Sequence, residues 1–461
     1  MKDTIAAICT ALSPSGIGII RVSGEDAIPI VDKIFKTPVG NSLLNAKSHT
    51  VHYGHIYDNE RIVDEVLVIL MKAPRSYTME DVVEIDCHGG LLVLRKVFNL
   101  LLASGCRPSE PGEFTKRAFL NGRIDLTEAE AVMDLISSKS EIERLNSISV
   151  LNGSLLNKIK SIREEILYFI AKIEASLDDP EHMSLDGYED EISNKISIIN
   201  TEIDKLISSY DNGKLINEGI YTVIVGKPNV GKSSVLNMLL SEDRAIVTEI
   251  AGTTRDTLEE SIVLDGITFR LIDTAGIRFT DDIVEKIGIK RAENCIKKAD
   301  LVVYIVDSSR ELDRYDDHII SLLEGKKTIC LFNKCDLPSV VSFMELNSHF
   351  EGHDSKPVCI KSSALLNIGK DEFIQIVKDM FFNGEVTFND EIIVTKLRHK
   401  SLLNDAKSSL EKVISSIDNC MPEDFLSIDL MDAYSSLGEI IGEEVSDDLV
   451  DKIFSEFCMG K

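Results

Sequence analysis

The stretch GKPNVGKSS, Gly226 to Ser234, follows the apolar run IYTVIVG directly and precedes a run of helical character. That order constrains the fold more than any other feature of the chain. In a GxxxxGK[ST] loop the glycines let backbone N–H groups curl round a β-phosphate at a helix N-terminus, so strand, tight loop and helix must follow one another. Lys232 then reaches the β and γ oxygens, and Ser233 ligates Mg²⁺. From Gly219 to about Phe382 the pattern of strand, loop and helix repeats through ITFRLIDTAG, DLVVYIVD, TICLFNKCD and KPVCIKSSA. This alternation predicts a mostly parallel sheet covered by helices. The Asp265-Gly266 pair in SIVLDGITFRLID is a hairpin signal and predicts one antiparallel strand at the edge.

The same insert specifies a base. In NKCD, Asn333 to Asp336, the carboxylate of Asp336 can accept parallel hydrogen bonds from N1–H and the 2-amino group of guanine, a donor pair that adenine lacks. KSSA, Lys361 to Ala364, follows the next strand and would supply a backbone donor to guanine O6. In DTAG (Asp273, Thr274, Ala275, Gly276) the aspartate would hold Mg²⁺ through water, and the Gly276 N–H would sense the γ-phosphate. AGTTRD, Ala251 to Asp256, has the character of a first switch in which Thr254 adds a hydroxyl to Mg²⁺. Ile277 stands where Ras-like enzymes place the glutamine that orients the attacking water. An isoleucine cannot do this, so another side chain must, and Glu285 is the candidate; on its own it reads as a solvated helix residue.

The flanks differ in character. The first 118 residues are β-rich, with TIAAICTALS, GIGIIRVSG, HTVHYGHIYD, DEVLVILMKA and DVVEIDCHGG as strands and LLVLRKVFNLLLASG as a helix ended by Gly105. From about Leu120 to Asn217 the period is helical, and the spacing from Leu145 to Ile173 predicts one long amphipathic helix. Ser401 to Phe457 returns to that character. The reading is therefore an α+β multidomain chain: a β-rich N-terminal domain (1–118), a helical domain in two parts (119–217 and 383–461), and an inserted Ras-like α/β P-loop G domain (218–382).

Composition excludes several classes. A chain of 461 residues with 44% hydrophobic content has material for buried cores in several domains. Nine scattered cysteines without a CxxC pair, and no signal peptide, predict a reduced cytoplasm. No apolar run has the ~20 residues of a membrane span. The net charge of −27 means that any RNA must be gripped by a local basic patch or by another subunit. The acidic run Asp178 to Glu191 reads as a solvated face.

The insert, with GKPNVGKSSVLNMLL, IAGTTRD and DTAGIR, resembles the TrmE/Era/Der group of bacterial GTPases. HGG at His88 to Gly90, PGEFTKRAFLNGRIDLTEAEAVMDLI (Pro111 to Ile136) and the terminal Cys-Met-Gly-Lys resemble the MnmE (TrmE) family specifically, over essentially the whole chain. The resemblance implies a GTP-hydrolysing tRNA modification enzyme. With the flavoprotein MnmG it would add an aminomethyl or carboxymethylaminomethyl group to C5 of the wobble uridine. The carbon would come from a tetrahydrofolate (5,10-methylenetetrahydrofolate, with 5-formyltetrahydrofolate as analogue), and FAD would be present only through the partner. The implied assembly is a homodimer joined by MnmG into a heterotetramer.

Residue by residue, the resemblance places GTP on Asn229, Val230, Gly231, Lys232, Ser233 and Ser234 of the P-loop and on Thr248, Glu249, Ile250, Ala251, Gly252, Thr253 and Thr254 of the switch. Asp273 to Gly276, Asn333, Lys334, Asp336, Ser363, Ala364 and Leu365 complete that set. K⁺ would bind Asn229, Thr248, Ile250 and Thr253 when two G domains meet, supplying positive charge in place of an arginine. Glu285 would position water. Folate would bind Arg21, Glu84, Arg123 and Lys461; the pterin edge presents the same donor pair as guanine and suits a carboxylate at Glu84. Arg21 and Arg123 otherwise read as solvated arginines, and Glu84 as a surface strand residue.

Cys458, alone, reads as a small buried hydrophobe or an idle thiol. If the tail folds back beside the folate pocket, its thiolate could add to C6 of uracil and make C5 nucleophilic, with Lys461 as the neighbouring cation. Two other functions stay open on sequence: a regulatory Era/Der-like switch in ribosome assembly without transfer chemistry, and a mechanochemical scaffold. The acidity argues against the first, and the second leaves the tail cysteine and the N-terminal arginines without a role.

Overall fold

The structure, a computed structural model, describes residues 3–178, 188–240, 260–271, 293–351, 356–382, 392–419, 421–443, 445–455, 457 and 460. The chain divides into two compact units. One comprises Met1–Met133, Val150–Ile196 and Asp405–Lys461, the other Asp134–Ser149 and Ser197–Asn404.

The first unit holds a seven-stranded sheet built from β1 (Ile5–Ile8), β2 (Ser15–Ser23), β3 (Phe35–Lys36), β4 (Thr50–Asp58), β5 (Arg61–Met71), β6 (Val82–Gly89) and β7 (Arg107–Pro108). The strand order is β3-β4-β5-β6-β2-β1-β7. Period-two alternation sends Val83, Ile85 and Cys87 of β6, with Ile20 and Val22 of β2, into one core, where they meet Val31, Leu94, Val97 and Leu101 of the helices Ala27–Ile34 and Leu91–Ser104. The intervening residues Arg21 and Glu84 are register partners on the opposite face. Gly105, at φ 125°, ends the second helix as expected. The helix Ala27–Ile34 has no counterpart in the sequence reading: it is short and carries Pro29 in its first turn, where proline is tolerated but looks like a breaker. Strands β3 and β7 are two residues long each and leave no periodic trace.

The long helix expected from Leu145 to Ile173 is two helices, Glu141–Leu151 and Ser154–Asp178. Gly153 separates them at φ 84°, a left-handed conformation that side chains resist. Apolar spacing runs across the break and hides it, although Asn152-Gly153 is a turn signal. The buried side chains of the first helix are polar, Glu143, Asn146 and Ser147, whereas Leu145 and Ile148 are only half-buried. Glu143 accepts from Thr268 Oγ1 at 2.7 Å, which stabilises a carboxylate facing the strand Ile267–Leu271, both within the second unit. Gly153→Ala is expected to cost about 1–2 kcal/mol through backbone strain alone, since its Cβ would make only ordinary contacts, 3.5 Å from Asn157 Nδ2 and from Glu128 Oε1; urea unfolding measures it.

In the first unit, Ser154–Asp178 packs on the helix Glu423–Ile441. Arg163 ties the pair together, bonding to Glu443 and to the Tyr434 carbonyl. Thus part of the early helical block does meet part of the late one.

The second unit is built on β8 (Ile220–Val225), β9 (Glu260–Leu264), β10 (Ile267–Leu271), β11 (Leu301–Asp307), β12 (Lys327–Asn333) and β13 (Val358–Lys361). The order is β13-β12-β11-β8-β10-β9, parallel throughout except for β9 on β10. The turn between those two has Asp265 at φ 48° and Gly266 at φ 82°, as the hairpin signal requires, and β9 is the edge strand. The carboxyl ends of β8, β11, β12 and β13 therefore lie along one rim, carrying the P-loop, Asp307, Asn333 and the Ser362–Ser363 turn. Open α/β sheets bind ligands at this rim.

Candidate functional site

At the nucleotide rim the P-loop is already curled. Gly226 stands at φ 153° and Gly231 at φ 98°, and a side chain at Gly231 would drive its Cβ to 2.4 Å from Asn333 Nδ2. Lys232 starts the helix Lys232–Leu240 and donates to the Gly226 and Lys227 carbonyls at 2.9 and 2.8 Å. Burial pushes its ammonium below the ordinary lysine range. A desolvated cation held on carbonyl oxygens favours an arriving phosphate, which restores its charge balance.

The base motif is joined to this loop. Asn333, buried at the end of β12, donates to the Val230 carbonyl at 2.8 Å and accepts from the Ala364 N–H at 3.1 Å. Asp336 accepts from Ser363 Oγ at 2.5 Å, so the serine orients the carboxylate. Lys334 donates to the Asn229 carbonyl at 3.0 Å and to Asp307 at 2.6 Å. A second strut runs from Lys227 to Asp313 at 3.0 Å and to buried Asp316 at 2.5 Å, and Asp316 accepts from Tyr304 as well. Asn229, Val230, Gly231, Lys232, Asn333, Lys334, Asp336, Ser363 and Ala364 are thus brought together. Ser233 and Ser234 follow on the first helical turn, and Leu365 is exposed beside Ala364.

A separate polar cluster lies on the sheet face of the first unit. Arg21 Nε donates to Glu84 Oε1 at 2.7 Å, and its guanidinium stands over the Tyr77 and Phe114 rings at 5.3 and 5.5 Å. Arg21 Nη1 is buried with no hydrogen-bond partner among the described residues. Arg123 also stands over the Tyr77 ring, 4.8 Å from its centroid, and donates to the Tyr77 carbonyl at 3.1 Å. A cavity of about 490 Å³ opens here, lined by Met71, Pro74, Tyr77, Met79 and Arg123 among others.

The chain's end returns to this sheet. Phe457 is buried against Phe454, and Gly460, at φ 87°, accepts from Cys9 Sγ at 3.2 Å, immediately beyond β1. The switch residues Thr248 to Thr254, Asp273 to Gly276, Ile277, Glu285, Cys458 and Lys461 lie outside the described residues.

Sequence reading missed Tyr77, Phe114 and Asp307. The first two are aromatic residues whose relation to Arg21 exists only after folding; Asp307 carries a signal, a carboxylate at the carboxyl end of a buried strand. His88, by contrast, is exposed and bonded to Asp64 at 2.7 Å, and the following Gly89 packs directly on Ser15, so the HGG run serves the sheet. The Asp64 carboxylate raises the His88 imidazole above its ordinary value.

Two family models match the chain: one described as the MnmE helical domain over residues 126–458, the other as the GTP-binding protein TrmE N-terminus over residues 4–123. Among curated relatives, the tRNA modification GTPase MnmE of Lachnoclostridium phytofermentans is 53% identical, with 100% of this chain and 99% of the relative covered. Those of Acetivibrio thermocellus and Geobacillus thermodenitrificans are 46% and 44% identical at the same coverage. A crystal structure of the G domain of the T. maritima FeoB iron transporter is similar over 34% of this chain and 96% of that one, at 25% identity and a TM-score of 0.26. A curled P-loop at the carboxyl rim of a parallel sheet, on a chain matched end to end by the MnmE relatives, leads to one assignment: the protein belongs to the MnmE family of tRNA modification GTPases and is a GTP-hydrolysing enzyme of tRNA modification.

Proposed function

We propose that the chain works with a flavoprotein of the MnmG kind to build an aminomethyl or carboxymethylaminomethyl group on C5 of the wobble uridine, using a one-carbon tetrahydrofolate held by Arg21, Glu84, Arg123 and Lys461. Arg21 carries this reading. Its buried Nη1, without a hydrogen-bond partner among the described residues, beside a carboxylate and two aromatic faces suits a flat heterocycle that offers both acceptors and donors. When bound, the folate supplies the one-carbon unit. Glu84 would take the pterin donor edge, Arg21 a ring carbonyl, and Arg123 a carboxylate of the folate tail. The return of Gly460 to Cys9 supports a tail that brings Cys458 and Lys461 to the same sheet. There the Cys458 thiolate would add to C6 of uracil, and it would leave once the C5 proton is lost.

In the same reading Ser233 and Thr254 hold Mg²⁺, and Asn229, Thr248, Ile250 and Thr253 hold K⁺ between paired G domains. The ions supply positive charge to the phosphates. Glu285 orients the water, since Ile277 cannot. The division at 118, 217 and 382, the homodimer, the heterotetramer with the flavoprotein and a cytoplasmic location belong to this proposal. None of the described helices is long and apolar enough to cross a membrane. The charge of −27 supports a tRNA held mainly by the partner.

Nucleoside mass analysis of tRNA from a strain lacking the gene, complemented with wild type or Cys458→Ser, tests the proposal. Wobble uridines lacking the C5 group in the deletion, restored by wild type alone, are expected. Unaltered uridines in the deletion overturn the transfer reading; restoration by Cys458→Ser removes only the cysteine from it. Faster GTP hydrolysis in K⁺ than in Na⁺ is the expected companion result, and equal rates would remove the alkali ion.

A further inference from the structure

We propose that Asp307 is a positioning residue for guanine nucleotide: acting through Lys334, it locks the base motif to the P-loop. Asp307 ends β11, and its side chain is 2% exposed. One carboxylate oxygen takes Lys334 Nζ at 2.6 Å; the other takes Ser309 Oγ at 2.6 Å and the Ser309 N–H at 3.1 Å. Burial pushes this carboxyl upward, but the lysine and the serine donors outweigh it and hold it below the usual carboxylate range, so the charge persists.

Backbone geometry shows what the pair must support. Lys334 and Asn229 both stand at φ 63°, in the left-handed region that residues other than glycine occupy at a cost. Lys334 Nζ joins them, donating to the Asn229 carbonyl at 3.0 Å while Asp307 holds it from the other side. The Ser308 N–H bonds to the Asn333 carbonyl at 3.0 Å, so the turn after β11 and the base motif are connected through the backbone too. Without the carboxylate, no other buried counter-charge among the described residues holds the Lys334 stem across the gap between base motif and P-loop.

Among the described residues, Asp307 bonds to Lys334 and Ser309 and not to Asp336 or Ala364, which would read the base. Its loss should therefore weaken all nucleotides alike and leave base discrimination intact. The inference rests on Asn333 to Asp336 being the base motif, which Asp336→Asn tests separately.

The experiment titrates the full chain with N-methylanthraniloyl-GDP and measures GTP hydrolysis. Losing one buried charge-assisted bond, Asp307→Asn is expected to raise Kd and KM roughly ten- to a hundredfold with kcat changed less than about twofold. The affinity ratio of GDP to IDP should stay at its wild-type value. Lys334→Met should lose about as much, and the double variant no more than either single one. Wild-type Kd for Asp307→Asn, additive losses in the double variant, or a lowered melting temperature with unchanged Kd would each overturn the proposal. Should Asp336→Asn leave guanine preference unaltered, the base-motif reading fails and the proposal falls with it.

Discussion

Asp336→Asn is expected to weaken GTP binding by roughly a hundred- to ten-thousandfold, because one charge-assisted hydrogen bond to guanine, about 1.5–3 kcal/mol, gives way to two facing donors, about 1–3 kcal/mol more, and the other loses its charge. The amide still offers an oxygen to N1–H, but its N–H₂ now faces the 2-amino group, donor against donor. Xanthine carries an oxygen there and accepts from that amide. The same variant should therefore bind xanthosine triphosphate better than the wild type does. Ser363 Oγ, 2.5 Å from the Asp336 carboxylate, holds the side chain in place, and the asparagine oxygen can keep that bond. Hydrolysis assays with the two nucleotides in competition measure the exchange. Retained GTP preference in the variant would falsify the assignment of Asp336 as the base reader.

The second large effect is on stability. Arg117 is 1% exposed and holds three partners that lie far apart in sequence: the Asp3 carbonyl and carboxylate at 2.9 and 3.0 Å, Glu80 at 3.0 Å and Glu113 at 3.0 Å. Arg107 adds a fork to Glu113, whose side chain is nearly as buried as that of Arg117. Removing Arg117 leaves buried carboxylates undercompensated, and Arg117→Leu should cost about 3–5 kcal/mol in denaturant unfolding of the first unit.

The pH profile separates this cause from lost packing. Burial raises the Glu113 carboxyl, but Arg107, the Glu110 N–H and Arg117 outweigh it, so the folded value lies below the ordinary one. Such a group stabilises fully above its unfolded value, and the contribution disappears as pH falls through the folded value. Wild type should therefore lose this stability below about pH 4. In Arg117→Leu desolvation regains ground and Glu113 moves upward, so the gap from wild type should narrow on acidification. A gap constant with pH would point to packing instead.

Why some of this was legible in the chain, and some not, follows from how far apart the interacting groups lie. Gly226, Gly231 and Lys232 act within one loop. The hairpin at Asp265-Gly266 and the helix end at Gly105 likewise need only their own backbone angles. Gly153 is the instructive failure: its turn signal was local, yet a stripe of apolar residues at helical spacing continued on both sides and masked it. Arg21 and Glu84 were named through family likeness, and their pairing needed the register of β2 on β6. Nothing local marks Arg117 or Glu113 as unlike other charged residues, since burial comes from elements dozens of residues away.

The sequence by itself determined the chemistry on offer: a loop patterned for phosphate, a carboxylate in an NKCD motif, a sheet to present them, and a thiol among its last residues. These depend on short-range backbone geometry and on functional groups that keep their donors and acceptors in any context. Tertiary structure alone decided which charges lose water and what faces them there, placing Lys334 between Asp307 and the P-loop and leaving Arg21 Nη1 without a hydrogen-bond partner among the described residues. Desolvation is a property of everything packed around a group, so no stretch of chain can state it in advance.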